Sequence, residues 1–511
     1  MTLDGTPFLR LYARWRRNRL DRQDPVVEQE KVLLSLLGCA ASTRFHRNHA
    51  LAKVRAIADY QAAVPLRSYE DFWTDYWRES FPVLEDLTWP GRIPLFANSS
   101  GTSSGVSKHI PVSHEMAAAN RRAAIDLLVH HVANRPQSRV LAGRNFMLGG
   151  STALEPLAPG VAAGDLSGMA AADVPWWAKP YFFPSGELAA IADWDDKTRR
   201  LSGKSLETNI RSLSGTPSWL LPFFDRLQAL RPGSSRLVDW YPDLEMIAHG
   251  GVSFAPYRSR FVELMAGGHA ETREVYPASE GFVAIADAAP DDGLRLLVDS
   301  GLFFEFVPLE ELSSTKPTRH WLRTVETGIN YALILTTCAG LWSYILGDTV
   351  RFVNLRPPRL AVTGRTSYGL SAFGEHLIGE EIDKAIVTAA AAVRVDMADF
   401  IVGPIYPAEP GRSGHHLYVV EFSRPMSSTD LARFVDVIDR ELSKLNRDYA
   451  EHRHGDMGMG PPDVRSAPAG AFARWMKARG KLGGQHKVPR VIADPTAFMR
   501  IVAEIMSDRE V

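Results

Sequence analysis

One stretch restricts this chain more than any other: Asn98-Ser99-Ser100-Gly101-Thr102-Ser103-Ser104-Gly105-Val106-Ser107-Lys108. It follows a short apolar run at 93–97. Beyond it Ser113 reads as a helix N-cap, with Glu115 in the first turn and an apolar stripe through Ile125, Leu128 and Val132. Three chemical readings compete for the loop. A Walker-type phosphate loop fails on spacing, because Gly101 and Gly105 are four apart and no lysine follows the second glycine. A hydrolase nucleophile elbow fits the letters Gly101-Thr102-Ser103-Ser104-Gly105, but that elbow needs a helix directly after the serine, and here Pro111 intervenes. An anion-cradling loop fits best: small residues let backbone N–H groups approach phosphate oxygens, hydroxyls add donors and Lys108 adds charge. By itself the loop reads equally well as a flexible surface turn, and its lysine as a solvated side chain.

Charge narrows the classes. The 511 residues carry 58 Lys+Arg and 59 Asp+Glu, a net charge of −1, which leaves no excess cation for a generic polyanion binder. The two cysteines, Cys39 and Cys338, allow one disulfide at most and point to a reducing compartment. The N-terminal MTLDGTPFLRLYARWRRNRL lacks the apolar core of a signal peptide. Its arginines could mimic a transit peptide, but Asp4 and Asp21 argue against one, and a basic amphipathic surface helix is the simpler reading. The longest apolar candidate, Ala332 to Leu346, reads as a buried strand and a turn rather than a membrane span. The expectation is a cytoplasmic chain with no membrane or nucleic-acid partner and no obligate protein partner.

The pattern along the chain is α/β. Residues 26–62 have helical spacing, while 244–249, 282–286, 295–298, 303–307 and 332–336 read as strands. Strand and helix patterns interleave, without repeats or low-complexity linkers. Composition breaks at 356–366 (RPPRLAVTGRT). Beyond it come a helix over Glu380–Val393, strands at 400–405 and 416–422, a helix from Thr429 and a basic, glycine-rich tail. The expectation is a large N-terminal α/β domain of mixed sheets and helices over 1–365 and a smaller α+β domain over 366–511. The aromatic run Pro175-Trp176-Trp177-Ala178-Lys179-Pro180-Tyr181-Phe182-Phe183-Pro184 suggests core packing first and a pocket wall second. His249-Gly250-Gly251 ends an apolar strand with glycines that permit close backbone approach. The histidine clusters at 130–131, 415–416 and 452–454 have no zinc spacing.

Four further motifs stand downstream: Tyr276-Pro277-Ala278-Ser279-Glu280-Gly281, Gly347-Asp348, Thr363-Gly364-Arg365 and Gly483-Gly484-Gln485-His486-Lys487. With them the chain resembles the adenylate-forming superfamily, and within it the auxin-responsive acyl acid amido synthetases. The likeness runs from Gln29…Leu33 and Val64–Asp71 to the late lysine.

That resemblance implies an ATP-dependent ligase that makes an acyl-adenylate from a carboxylic acid, conjugates it to an amino acid or other amine, and releases AMP and pyrophosphate. It places Ser99, Ser100, Gly101, Thr102 and Ser103 on the phosphates, and Tyr276 and Ser279 beside the nucleotide, with Tyr276 offering adenine an aromatic face. Glu280 would serve catalysis as a hard oxygen ligand for Mg²⁺, and Asp348 would accept from the ribose hydroxyls. Arg365 would stand at the domain boundary, with a hinge within 364–369. Lys487 would close over the α-phosphate from a mobile C-terminal domain. The motif departs from the family where Ala278 replaces a usual serine and His486 a usual aromatic residue. Rival readings are an acyl-CoA ligase sharing the same first step, a serine hydrolase using Ser103, and a nucleotide sensor with a degenerate site.

Overall fold

The computed structural model describes residues 3–99, 108–251, 254, 258–288, 292–312, 314–366, 369–375, 377–395, 397–407, 413–454, 458–478, 488 and 490–507. They form two compact units. One takes the described residues up to Ser99 together with Lys108–Pro217 and Arg226–Thr366; the other takes Ser218–Asp225 and the described residues beyond Thr366.

In the first unit, β1 (Leu95–Ser99) pairs antiparallel with β2 (Lys108–Val112). They belong to a small sheet ordered β2-β1-β5-β4, with β4 at Glu155–Ala158 and β5 at Val161–Gly164. The large sheet has two halves that share one strand, β9 (Glu271–Ala278). On one side β8 (Met246–His249), β7 (Ile210–Gly215), β3 (Arg144–Met147) and β6 (Phe182–Phe183) continue from β9 in parallel. On the other side the neighbours are antiparallel: β10 (Gly281–Ile285), β11 (Leu294–Leu296), β15 (Pro358–Arg365), β14 (Tyr344–Leu355), β13 (Asn330–Thr337) and β12 (Leu302–Pro308). The runs Leu302–Pro308 and Tyr331–Thr337 are buried on both faces and mostly apolar, as in strands covered on both sides.

The helix His114–Asn134 starts where the sequence places it: the Ser113 hydroxyl accepts from the Met116 N–H at 3.0 Å. The helical spacing of 26–62 resolves into Pro25–Cys39, Arg44–Asn48 and Ile57–Ala63. Thr43 is extended and caps the second piece, and Ala50 takes a left-handed backbone (φ 49), so one continuous helix is interrupted twice. The aromatic run also departs from expectation. Trp176 is 83% exposed and Trp177 exposed as well, while Phe183 is buried and Phe182 and Phe183 line a cavity of about 260 Å³ with Lys197. Prolines at 175, 180 and 184 shape this run into a turn, so its aromatic side chains do not share one face.

The second unit is built on β18 (Met397–Ile405), β19 (His415–Phe422) and β20 (Asp463–Ser466), with a small ladder of β16 (Gly369–Leu370) and β17 (Leu377–Ile378). Strand alternation sorts the core. Phe400, Val402, Tyr418 and Val420 share a cluster with Ile382, Ile386, Phe434 and Ile438 of the helices Gly379–Val393 and Ser428–Leu445. Ile401, Leu417 and Val419 meet Phe472, Phe498 and Ile501 of the helices Ala471–Ala478 and Pro495–Met506. A buried contact, Glu375 Oε1 to His416 Nε2 at 2.8 Å, anchors the segment after β16. Burial pushes the Glu375 carboxyl up, but His416 and the backbone N–H of Phe373 outweigh it and hold it at about 2.

Among the described residues no helix is long and apolar enough to cross a membrane. The helix Thr6–Asp21 lies on the helix His114–Asn134 and is pinned by Arg16, which reaches Asp126 at 2.7 Å and Asp299 at 2.8 Å, all three buried or nearly so. Arg16→Ala leaves two carboxylates without their counter-charge, so urea unfolding should show a loss of about 3–5 kcal/mol. An unchanged midpoint would show that the pair carries no weight.

Candidate active site

The carboxyl ends of parallel strands are where an open α/β sheet binds ligands, because loops and backbone dipoles converge there. In the first unit β7 ends at Gly215, β8 at His249 and β9 at Ala278. The chain approaches itself closely at this edge. A Cβ on Gly250 would stand 2.3 Å from the Val275 carbonyl oxygen, so only glycine fits. The His249 ring stacks on Phe254 with centroids 3.8 Å apart, and its Nδ1 is buried without a hydrogen-bond partner among the described residues. Burial holds the His249 imidazole down to about 3, with Arg258 adding to the effect, so it is neutral.

β9 turns into β10 through Ser279 and Glu280. Gly281 closes the turn with φ 149, where a Cβ would meet the Leu302 side chain at 2.9 Å. This tight hairpin holds Glu280 buried and leaves Ser279 half-buried. Burial pushes the Glu280 carboxyl above its ordinary value, and the Asp348 charge adds to the rise. Lys108 and a hydrogen bond from Tyr344 oppose it. Lys108, at the start of β2, is half-buried with Nζ 5.4 Å from the centre of the Tyr69 ring. It is thus held against an aromatic face rather than freely solvated.

Asp348 sits on β14 opposite Arg365 of β15 in the ladder. The Tyr276 hydroxyl donates to Asp348 Oδ2 at 2.6 Å. The Tyr276 ring belongs to the main core cluster and the residue is 8% exposed. The structure therefore brings Tyr276, Glu280 and Asp348 together, with Lys108 on the same group. Ser100, Gly101, Thr102, Ser103 and Lys487 lie outside the described residues, and of Ser99 and Arg365 only the backbone is described. At the root of the hydroxyl-rich loop, Asn98 Oδ1 and its ladder partner's His109 Nδ1 are buried and have no partner among the described residues. Orphaned buried polar atoms are costly, and their position suits a ligand with hydrogen-bonding groups of its own.

Three contributors were not singled out from sequence. Tyr344 was hidden in an apolar run, where its hydroxyl carries no pattern. His109 lies in a strand and reads as a core residue. Ser343 has φ 46 and is fixed by five contacts: its hydroxyl lies 2.9 Å from the Tyr60 hydroxyl, 3.0 Å from Glu305 Oε2 and 2.7 Å from Arg319 Nη2, its N–H donates to Thr336 Oγ1 at 2.9 Å, and its carbonyl accepts from the Arg67 N–H at 3.0 Å.

Models of the GH3 family match the chain at 17–269 (N-terminal domain), 295–365 (central domain) and 380–496 (C-terminal domain). The chain belongs to the GH3 family. It is 23% identical over 551 residues to the indole-3-acetic acid-amido synthetase GH3.4 of Arabidopsis thaliana, with 92% of this chain and 90% of that protein covered. Its fold is that of AtGH3.15 acyl acid amido synthetase in complex with 2,4-DB, with TM-score 0.59, 20% identity, and 96% and 95% of the two chains covered. It also matches 2-hydroxyisobutyryl-CoA ligase in complex with 2-HIB-AMP and CoA, with TM-score 0.58, 16% identity, and 94% and 92% covered.

The buried, raised carboxyl yields a test. A group whose folded value lies above its unfolded one favours folding while protonated and loses that contribution as pH rises through the folded value. Glu280→Gln removes the ionised form, so its Tm should exceed that of the wild type at pH 7, with the gap closing as pH falls through the raised folded value and gone below the ordinary carboxylate range. A lower Tm for the variant at pH 7 would mean that Lys108 and Tyr344 more than offset the burial.

Proposed function

We propose that this chain is an ATP-dependent ligase. It activates a carboxylic acid as an acyl-adenylate and joins the acyl group to an amino acid or other amine, releasing AMP and pyrophosphate. The observation that carries the reading is the cluster of Glu280, Asp348, Tyr276 and Lys108 at the root of the hydroxyl-rich loop, in a chain matched by all three GH3 domains. The reaction has two displacements. A carboxylate oxygen bonds to the α-phosphorus as the bond to pyrophosphate breaks. A deprotonated amine nitrogen then bonds to the acyl carbon as the bond to AMP breaks.

Each residue has a task in that reading. Ser99, Ser100, Gly101, Thr102 and Ser103 would donate to phosphate oxygens, with Lys108 beside them. Asp348 accepts from the ribose hydroxyls, and the Tyr276 hydroxyl fixes the carboxylate that does so. With 8% of the residue exposed, Tyr276 has little face left for adenine. Ser279 lies at the nucleotide's edge and Arg365 at the end of β15. Among the described residues no group of three or more His, Cys, Asp or Glu could cage a metal. Glu280 still fits Mg²⁺, which takes one or two carboxylates and completes its shell with phosphates and water. When bound, Mg²⁺ neutralises triphosphate charge. Lys487 would stabilise the α-phosphate as its charge grows. The free cysteines, Cys39 exposed and Cys338 buried, fit a reducing, cytoplasmic setting.

The test is carboxylate-dependent exchange of labelled pyrophosphate into ATP over aromatic, indolic and fatty acids, followed by AMP release with amino acids or with coenzyme A. Lys487→Ala should lower exchange by roughly 10²–10³-fold, and an unchanged rate would remove that lysine from the step. Tyr276→Phe should raise the KM for ATP about tenfold with a smaller effect on kcat, as loss of one hydrogen bond to a charged group implies. No exchange with any acid would sink the ligase reading.

A further inference from the structure

The helix Thr6–Asp21 has two apolar faces where the fold uses one. Leu9, Ala13 and Leu20 are buried, with Arg16 on the same side. The solvent side carries Phe8 (73% exposed), Leu11 (69%), Trp15 (57%) and Tyr12, and Leu3 stands exposed just before the helix. Positions 8, 11, 12 and 15 follow the spacing of a single helical stripe. The Tyr12 and Trp15 rings lie 5.6 Å apart and make one aromatic patch. Contiguous large apolar residues on a surface mark an interaction site, whereas scattered ones do not. The Arg16 pair with Asp126 and Asp299 fixes the helix from behind, so the stripe is presented on a rigid support.

The charges around the stripe choose the occupant. Arg19 and Arg22 are exposed along the line of the stripe and Arg14 on its flank, while Arg17 is exposed on the opposite side of the helix. Asp21 and Asp24 are exposed carboxylates at the same end, and Arg17 reaches Asp21 at 3.5 Å. Pairing this face with a second copy would bring two sets of arginines together, and like charges at close range oppose that. An anionic lipid surface meets both features: headgroups take the arginines, and Phe, Leu, Tyr and Trp settle at the boundary with the acyl chains. We propose that this helix docks the protein, in the plane of the interface, on a membrane bearing anionic lipid. Among the described residues no helix is long and apolar enough to cross the bilayer.

The experiment is co-sedimentation of the full chain with phosphatidylcholine vesicles, alone or with about a third phosphatidylglycerol. The wild type should sediment with the anionic vesicles only and be released by salt. Each arginine near the surface is worth about fivefold in partitioning, so the doubly substituted Arg14→Gln/Arg19→Gln chain should bind roughly 25-fold more weakly. Phe8→Asp/Trp15→Asp should abolish sedimentation while Tm stays at the wild-type value, since both side chains lie in solvent. Equal sedimentation of that variant and the wild type would overturn the proposal. So would absence of sedimentation with phosphatidylglycerol, or a wild-type dimer that the same substitutions convert to monomer without any vesicle binding.

Discussion

The contact between the Tyr276 hydroxyl and Asp348 is the constraint on which the site geometry turns. The two residues lie on β9 and β14, four positions apart in the sheet. Laid flat at about 4.8 Å per strand, they would be roughly 19 Å apart. The hydrogen bond at 2.6 Å therefore requires the antiparallel half to curl over on itself. Sheet twist supplies the tendency, and register shifts between Thr349 and Val350, Phe352 and Asn354, and Phe282 and Ala284 locate where strands bend. With the curl in place, the β9–β10 hairpin stands over the start of β14, so Glu280 meets Tyr344 in the same fold that joins Tyr276 to Asp348.

Glu280 shows the cost of such a site. A buried carboxyl without a full ion pair is expensive, and among the described residues the Lys108 charge, its own backbone N–H and the Tyr344 hydroxyl offset that cost in part. Contrast Glu305, which is fully buried yet satisfied by Arg319 at 2.8 Å and by hydrogen bonds from Gln61 and Ser343. Two buried glutamates in one unit thus have opposite treatments. Glu305 is held by a full set of partners, whereas the Glu280 carboxyl stays raised above its ordinary value. Perturbed ionisable groups concentrate at functional sites.

Sequence legibility followed the range of the interaction involved. Ser113 as a cap, the buried strands at 303–307 and 332–336, and the helix Gly379–Val393 could all be read because caps and periodicity act over a few neighbouring residues. Glu280, Asp348 and Tyr276 could be picked out by motif resemblance, but not the bond between the last two, which spans 72 residues. Asn98 and His109 have meaning only through strand pairing. The exposed Trp176 and Phe8 ran against the rule that large apolar residues are buried, since composition cannot say which of two apolar faces a fold will use.

Ser343 connects these levels. A non-glycine residue with φ 46 is strained, and such a backbone persists only where its surroundings over-determine it. Here the surroundings are the Glu305–Arg319 pair and Tyr60, together with Thr336 from β13 and the backbone of Arg67. The next residue is Tyr344, whose hydroxyl reaches Glu280. The strain is thus set one residue before the side chain that must be aimed, and it is held by one ion pair, two hydroxyls and one backbone N–H from separate parts of the sequence. A stable, fully paired network of that kind can keep a neighbouring, under-paired carboxyl in place, which a helix cap or a short hairpin alone could not do.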